Sequence, residues 1–137
     1  MPRNIASNVL VKRAISPVSV ADSTAEVSEI IDTNGYNSAA FFISTGSLAD
    51  TDATFAVLVE EDTASGFGTA TAVADADLDG TEAGAAFTFA DDDEVRKIGY
   101  LGGNRYIRLT ITPTGNASAA LMAAVCVLGS PRAAPVS

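Results

Sequence analysis

Asp75-Ala76-Asp77-Leu78-Asp79-Gly80 has the residue types and spacing of a calcium loop. Alternate carboxylates on a tight loop can converge on one hard cation, and glycine allows the sharp turn. An EF-hand loop also needs a bidentate Glu at its twelfth position, which here is Ala86. The flanks read as strand and loop, not as helices. The competing reading is a hydrated acidic loop. No metal or other cofactor is therefore expected, and Asp75, Asp77 and Asp79 are the candidates for calcium should one bind.

Other carboxylates stand close together in the chain. Asp50 and Asp52, and Glu60, Glu61 and Asp62, could in principle supply a general acid and base. Glycoside hydrolysis needs two carboxylates flanking a sugar. A sugar site also wants aromatic platforms, and the chain has no Trp and three Tyr, at 36, 100 and 106. Asp91-Asp92-Asp93-Glu94 could attract a basic partner, or serve as a solvated turn that protects a sheet edge. Cys126 lies within Ala123-Ala124-Val125-Cys126-Val127-Leu128 and reads as a small core hydrophobe. Gly66-Phe67-Gly68 and Gly102-Gly103 lack the strand–loop–helix context and the Lys of a phosphate loop, so they read as turns. Tyr100, Arg105, Tyr106 and Arg108 could stack on bases or sugars. Opposite faces of a hairpin explain them equally well.

Composition narrows the chemistry further. The 137 residues include 8 Lys+Arg and 17 Asp+Glu, giving a net charge of −9, with no His and one Cys. Ser-His-Asp and Cys-His catalysis, His-ligated zinc and an intrachain disulfide are thereby removed. A nucleic-acid binder carries excess basic charge, and this chain carries the reverse. An enzyme is not expected. The charges are also segregated: all 17 acids lie between Asp22 and Glu94, and the basic residues lie outside or at the end of that span. Such a dipole can attract another copy or another protein, or vanish when the basic strands fold beside the acidic middle. Met1 to Ser7 lacks an apolar secretory core, and the longest apolar run, Ala119–Leu128, is ten residues, too short to span a bilayer. A soluble protein made in the cytoplasm, with no membrane partner, is the expectation.

The elements that would position these residues read as strands. Ile107, Leu109 and Ile111 alternate with Tyr106, Arg108 and Thr110. Phe55, Val57 and Val59 alternate similarly. Ala39–Ile43 and Leu121–Leu128 are apolar on both faces and read as buried strands. Turn signals at Asn34-Gly35, Gly46-Ser47, Ser65-Gly66, Asp79-Gly80, Gly102-Gly103-Asn104 and Pro113–Asn116 separate the runs. Strands are predicted near 7–13, 24–32, 38–44, 53–60, 69–74, 85–89, 95–101, 105–112 and 119–128. The strongest predicted hairpin joins 95–101 to 105–112 through Gly102-Gly103-Asn104. Together they predict one all-β domain, an antiparallel sandwich or jelly roll of eight or nine short strands over 8–128. Residues 1–7 read as a flexible arm and 129–137 as a tail.

Three segments carry a resemblance. Asn8-Val-Leu-Val-Lys-Arg-Ala-Ile-Ser-Pro-Val18, Gly46–Glu60 and Phe89–Pro113 resemble a family of small virion-associated proteins of tailed phages and prophages. The likeness runs over about residues 8–130. The resemblance implies a structural protein of the particle: a decoration (cement) protein on the capsid exterior, bound to the major capsid protein. Such proteins commonly form homo-oligomers, with a trimer favoured, and no catalytic residues carry over. A basic, partly apolar N-terminal arm would reach across a capsomer seam or add a strand to a sheet edge. The alternatives are a head–tail connector or tail component, and a jelly-roll carbohydrate-binding module using calcium at Asp75, Asp77 and Asp79.

Overall fold

The computed structural model describes residues 3–132. A single 3-10 turn, Ile5–Ser7, precedes the first strand. Eleven strands follow: β1 (Leu10–Val20), β2 (Glu26–Val27), β3 (Ile31–Asp32), β4 (Tyr36–Leu48), β5 (Thr54–Asp62), β6 (Thr71–Ala72), β7 (Leu78–Asp79), β8 (Phe87–Thr88), β9 (Val95–Tyr100), β10 (Tyr106–Thr114) and β11 (Ala120–Pro131). One short helix, α1 (Glu82–Ala85), interrupts them. One sheet has the order β1-β11-β4-β9-β7, and the other has β2-β10-β5-β6, with β3 beside β10 and β8 beside β5. Every pairing is antiparallel. The all-β sandwich read from alternation is the fold.

The core lies between the sheets. Phe41, Ile43, Ile98, Met122, Cys126 and Leu128 project inward from the first sheet, and Phe55, Val59, Ile107, Leu109 and Ile111 from the second. The Phe55 and Phe87 rings stack at 4.8 Å. Burying one such side chain contributes roughly 1.5–3 kcal/mol.

Each of the nine predicted segments contains a strand, but the boundaries moved. Segment 24–32 splits into β2 and β3, which both pair with β10. Ser28 sits between them, accepting from Leu109 N at 2.9 Å with its hydroxyl and donating its own N–H to Leu109 O at 2.8 Å. β1 starts later than predicted and runs seven residues further, to Val20. Register shifts near Arg13, Ile15 and Val18 carry it past Pro17, which has no N–H to give. Lys12 and Arg13, inside the predicted segment 7–13, are strand residues paired with Cys126 and Val125. β11 continues beyond 128, pairing Gly129 with Ser38 and Pro131 with Tyr36. Residues 133–137 of the expected tail, and residues 1–2 of the expected arm, lie outside the described residues.

The hairpin expected between β9 and β10 does not form. Ile98 pairs with Phe41 and Leu109 with Val59, so the two strands belong to different sheets. Alternation identifies a half-buried strand but does not name its partner. The crossing has a local cause at Tyr100. Its hydroxyl donates to Glu61 Oε1 in the opposite sheet at 2.6 Å and accepts from Asn104 N at 2.9 Å. The connection folds tightly over the ring: a Cβ at Gly102 would meet Tyr100 ring atoms at 2.5–2.6 Å.

The open flank of β5 is closed in three pieces. β8 pairs with Thr54 and Phe55, β6 pairs with Glu60 and Glu61, and Glu82 of α1 accepts from Val59 N at 2.8 Å. The Thr81 hydroxyl caps α1 by accepting from Gly84 N at 2.8 Å.

Asn116 ties the ends of the sandwich together. Its buried side-chain amide donates to Val20 O at 3.0 Å and Asp22 O at 2.9 Å. Asn116→Ala is expected to lower unfolding free energy by about 1–3 kcal/mol in urea titrations, because two carbonyls lose their donor. Asn116→Asp should cost more, since it turns a carboxylate toward those carbonyls. A midpoint unchanged in both variants would refute this anchoring role.

Candidate functional site

The calcium candidates do not converge. Asp75 and Asp77 lie in a 3-10 turn, Asp75–Asp77, while Asp79 lies in β7 opposite Gly99. Pairing with β9 draws the third carboxylate out of the loop and onto the sheet surface. A Cβ at Gly99 would lie 2.8 Å from the Asp79 Cβ, so glycine admits this close approach. Among the described residues, no three His, Cys, Asp or Glu side chains gather as metal ligands.

The other acidic groups serve the fold. Glu61 is held by Tyr100, and Glu60 pairs with Arg108 at 2.8 Å. Asp62 accepts from Ala64 N at 3.1 Å and Thr69 N at 2.9 Å, and these backbone donors hold its carboxyl below the ordinary range. Asp50 accepts from Asp52 N at 2.9 Å and Ala117 N at 2.7 Å, with the same effect on its carboxyl. Each of these four carboxylates is engaged by a hydrogen bond or an ion pair.

The run Asp91–Glu94 is likewise tied into the fold. Asp91 accepts from Thr88 N at 2.8 Å and Asp92 from Leu48 N at 2.9 Å. The Thr45 hydroxyl donates to Asp91 O at 2.6 Å and accepts from Glu94 N at 2.9 Å. Arg96 pairs with both Asp91 and Glu94.

The basic and aromatic residues split between the sheets as strand geometry requires. Arg105 makes a two-pronged pair with Asp32, at 2.8 and 2.9 Å. Arg108 lies 4.6 Å over the Phe67 ring. Phe67 adopts φ +58°, a left-handed conformation unusual for an aromatic residue, and that conformation accompanies its seat under the guanidinium. Tyr100 is buried, and burial followed by the Glu61 hydrogen bond raises its hydroxyl pKa. Cys126 is fully buried, and burial pushes its thiol up to about 12, so it is no nucleophile at neutral pH.

The surface that stands out is one the sequence reading assigned to the interior. β4 and β11 are apolar on both faces, yet only one face of each meets the core. The other face opens outward as part of the β1-β11-β4-β9-β7 sheet. Strand pairing aligns Val11, Val127, Ala40, Gly99 and Asp79 in one row across it. Arg13, Val125, Phe42 and Lys97 form the next row, and Ala123, Ser44 and Val95 the third. Val11, Val95 and Leu121 are 56%, 64% and 44% exposed, far beyond what a core strand tolerates. A shallow cavity of about 470 Å³ indents one end beside Val18, Gly46 and Leu121. A second, of about 270 Å³, lies at the other end beside Ala40, Gly99 and Leu101. The signal was present in Ala39–Ile43 and Leu121–Leu128. An apolar pair of faces shows that neither face prefers water, and leaves open what covers the second.

No family model and no curated protein matches the chain. Among solved structures, it resembles the PBSX exported protein XepA, with TM-score 0.57 and 12% identity over 90% of this chain. The match spans 38% of the XepA chain. At that identity the likeness is one of fold. No helix among the described residues is long and apolar enough to cross a membrane.

Two outcomes follow from these side-chain assignments. Adding calcium or chelator should leave the melting temperature unchanged, and a saturable rise with calcium would restore the metal reading. The Arg105 guanidinium, by hydrogen bonding, holds the Asp32 carboxyl down at about 2 from 3.8. The folded-state value is depressed, so this stabilisation is present above about pH 4 and is lost as pH falls toward about 2. Both partners are more than one-third exposed, which limits the contribution to below about 1 kcal/mol. Asp32→Asn should flatten that part of the acid-unfolding curve, and an identical curve would refute the assignment.

Proposed function

We propose that this chain is a non-enzymatic structural protein of a tailed-phage particle. It acts as a decoration protein that binds the major capsid protein lattice from outside and stabilises the head. The observation that supports the phage assignment is the fold likeness over 90% of the chain to the PBSX exported protein XepA, a phage-related neighbour. The likeness agrees in direction with the phage-family resemblance of segments 8–18, 46–60 and 89–113. The coarse assignment to phages draws on both, and the decoration role draws on the resemblance.

The physical properties suit the role. A cement protein needs a scaffold that does not deform when it bridges neighbours. Here the loops are pinned by Asp50, Asp62, Asp91, Asp92 and Asn116, and two sheets share one dense core. A net charge of −9 keeps closely spaced copies hydrated. Binding of several copies to a repeating lattice multiplies a weak single contact.

Quantitative mass spectrometry of purified particles, against the major capsid protein, tests the reading. A copy number equal to the capsid subunits or a simple fraction of them is expected. Six or twelve copies per particle would replace it with a connector or tail ring, and absence from the particle would overturn it.

A further inference from the structure

We infer that the outer face of the β1-β11-β4-β9-β7 sheet is the contact between two copies of this chain, related by a two-fold axis running along β4. The inference goes beyond the particle reading and stands without it. Three observations carry it.

The first is extent. Four strands spaced about 4.8 Å, over the seven residues Leu121–Val127 at about 3.4 Å each, give a patch of about 450 Å² in projection. Arg13, Lys97 and Ser44 lie among its apolar residues, and an apolar patch of that order on a monomer is often functional. A standard interface takes roughly 800 Å² from each partner, so the rim around the patch must contribute as well.

The second is the sign of the surface. Each copy carries net −9, so two copies repel at long range. Of the 17 acids, Asp79 alone lies in the three aligned rows, at the β7 edge. Face-to-face contact through this sheet therefore keeps the remaining acids apart.

The third is self-complementarity. Arg13 lies at the β1 edge and Asp79 at the opposite edge, one row away. A two-fold axis along β4 lays the β1 edge of one copy over the β7 edge of the other. Arg13 then lies over the second copy's β7 edge, one row from Asp79 and one strand from Lys97, and the contact occurs twice by symmetry. Ala40 and Phe42, on the central strand, meet their own equivalents on the axis. Val95 meets the second copy's Ala123. An in-plane axis across the strands would instead lay β1 over β1 and β7 over β7, with no Asp79 near Arg13, so charge favours the first arrangement. Arg13 must give up Glu29, held at 3.2 Å with both side chains more than 60% exposed. An exposed pair of that kind contributes little.

Sedimentation of the full chain over a wide concentration range tests this. A monomer–dimer equilibrium is expected. Val95→Glu and Ala40→Glu should each shift it to monomer while circular dichroism and the dilute-solution melt stay unchanged. Thr112→Glu, on the outside of the other sheet, should leave the dimer intact. Arg13→Asp or Asp79→Arg alone should weaken the dimer roughly 3–10-fold, and the double exchange should restore it. A monomer at every concentration, a trimer, or a dimer indifferent to Val95→Glu and Ala40→Glu would overturn the inference. Particle copy number is read separately, so either proposal can fail alone.

Discussion

The hydrogen bond from Tyr100 to Glu61 fixes where the chain leaves one sheet for the other. Tyr100 ends β9 and Glu61 lies in β5, on opposite sides of the core. The hydroxyl also receives Asn104 N, so the next strand must start above the Tyr100 ring. β10 then enters the second sheet as its central strand, flanked by β5 on one side and β2 and β3 on the other. Arg105 and Arg108 reach Asp32 and Glu60 because of that placement. A buried hydroxyl without such partners would cost about 1–3 kcal/mol, so the crossing and the bond depend on one another.

The strands were legible in the sequence and their partners were not. Arg105–Thr112 alternates cleanly and forms β10 almost as predicted. The short Gly-rich loop after 95–101 suggested a hairpin, but such a loop also serves for changing sheets. β7 escaped prediction altogether. Two residues show no period, and its existence depends on backbone groups of β9 about 20 positions away. The acidic motifs were legible as carboxylates but not as ligands of backbone N–H groups. Asp92 lies 44 positions from Leu48, and spacing along the chain says nothing of that approach. The outer sheet face was visible as two-sided apolarity in Ala39–Ile43. Hydrophobicity reports a preference to leave water and does not say which protein supplies the cover.

The acids and the apolar face divide the molecule into two kinds of surface. Carboxylates in the loops are tied to backbone donors, and they also surround the sandwich with negative charge. The five-stranded sheet is spared that charge because its strands come mainly from the parts of the chain that hold few acids. β1 and β11 have none and β4 has none. Four of that sheet's five strands, β9 included, carry no acid, and Asp79 in β7 is its single strand carboxylate.

The Glu82 carboxylate at Val59 N bears on behaviour under crowding. An open ladder on β5 would be a template for a neighbour's strand, and a protein displayed at high local density meets neighbours constantly. With a side chain occupying the mid-strand donor and short strands on either side, that flank has little left to offer a ladder. Along this flank, contacts between copies are then confined to side-chain surfaces, which saturate, and growth into fibres is blocked there.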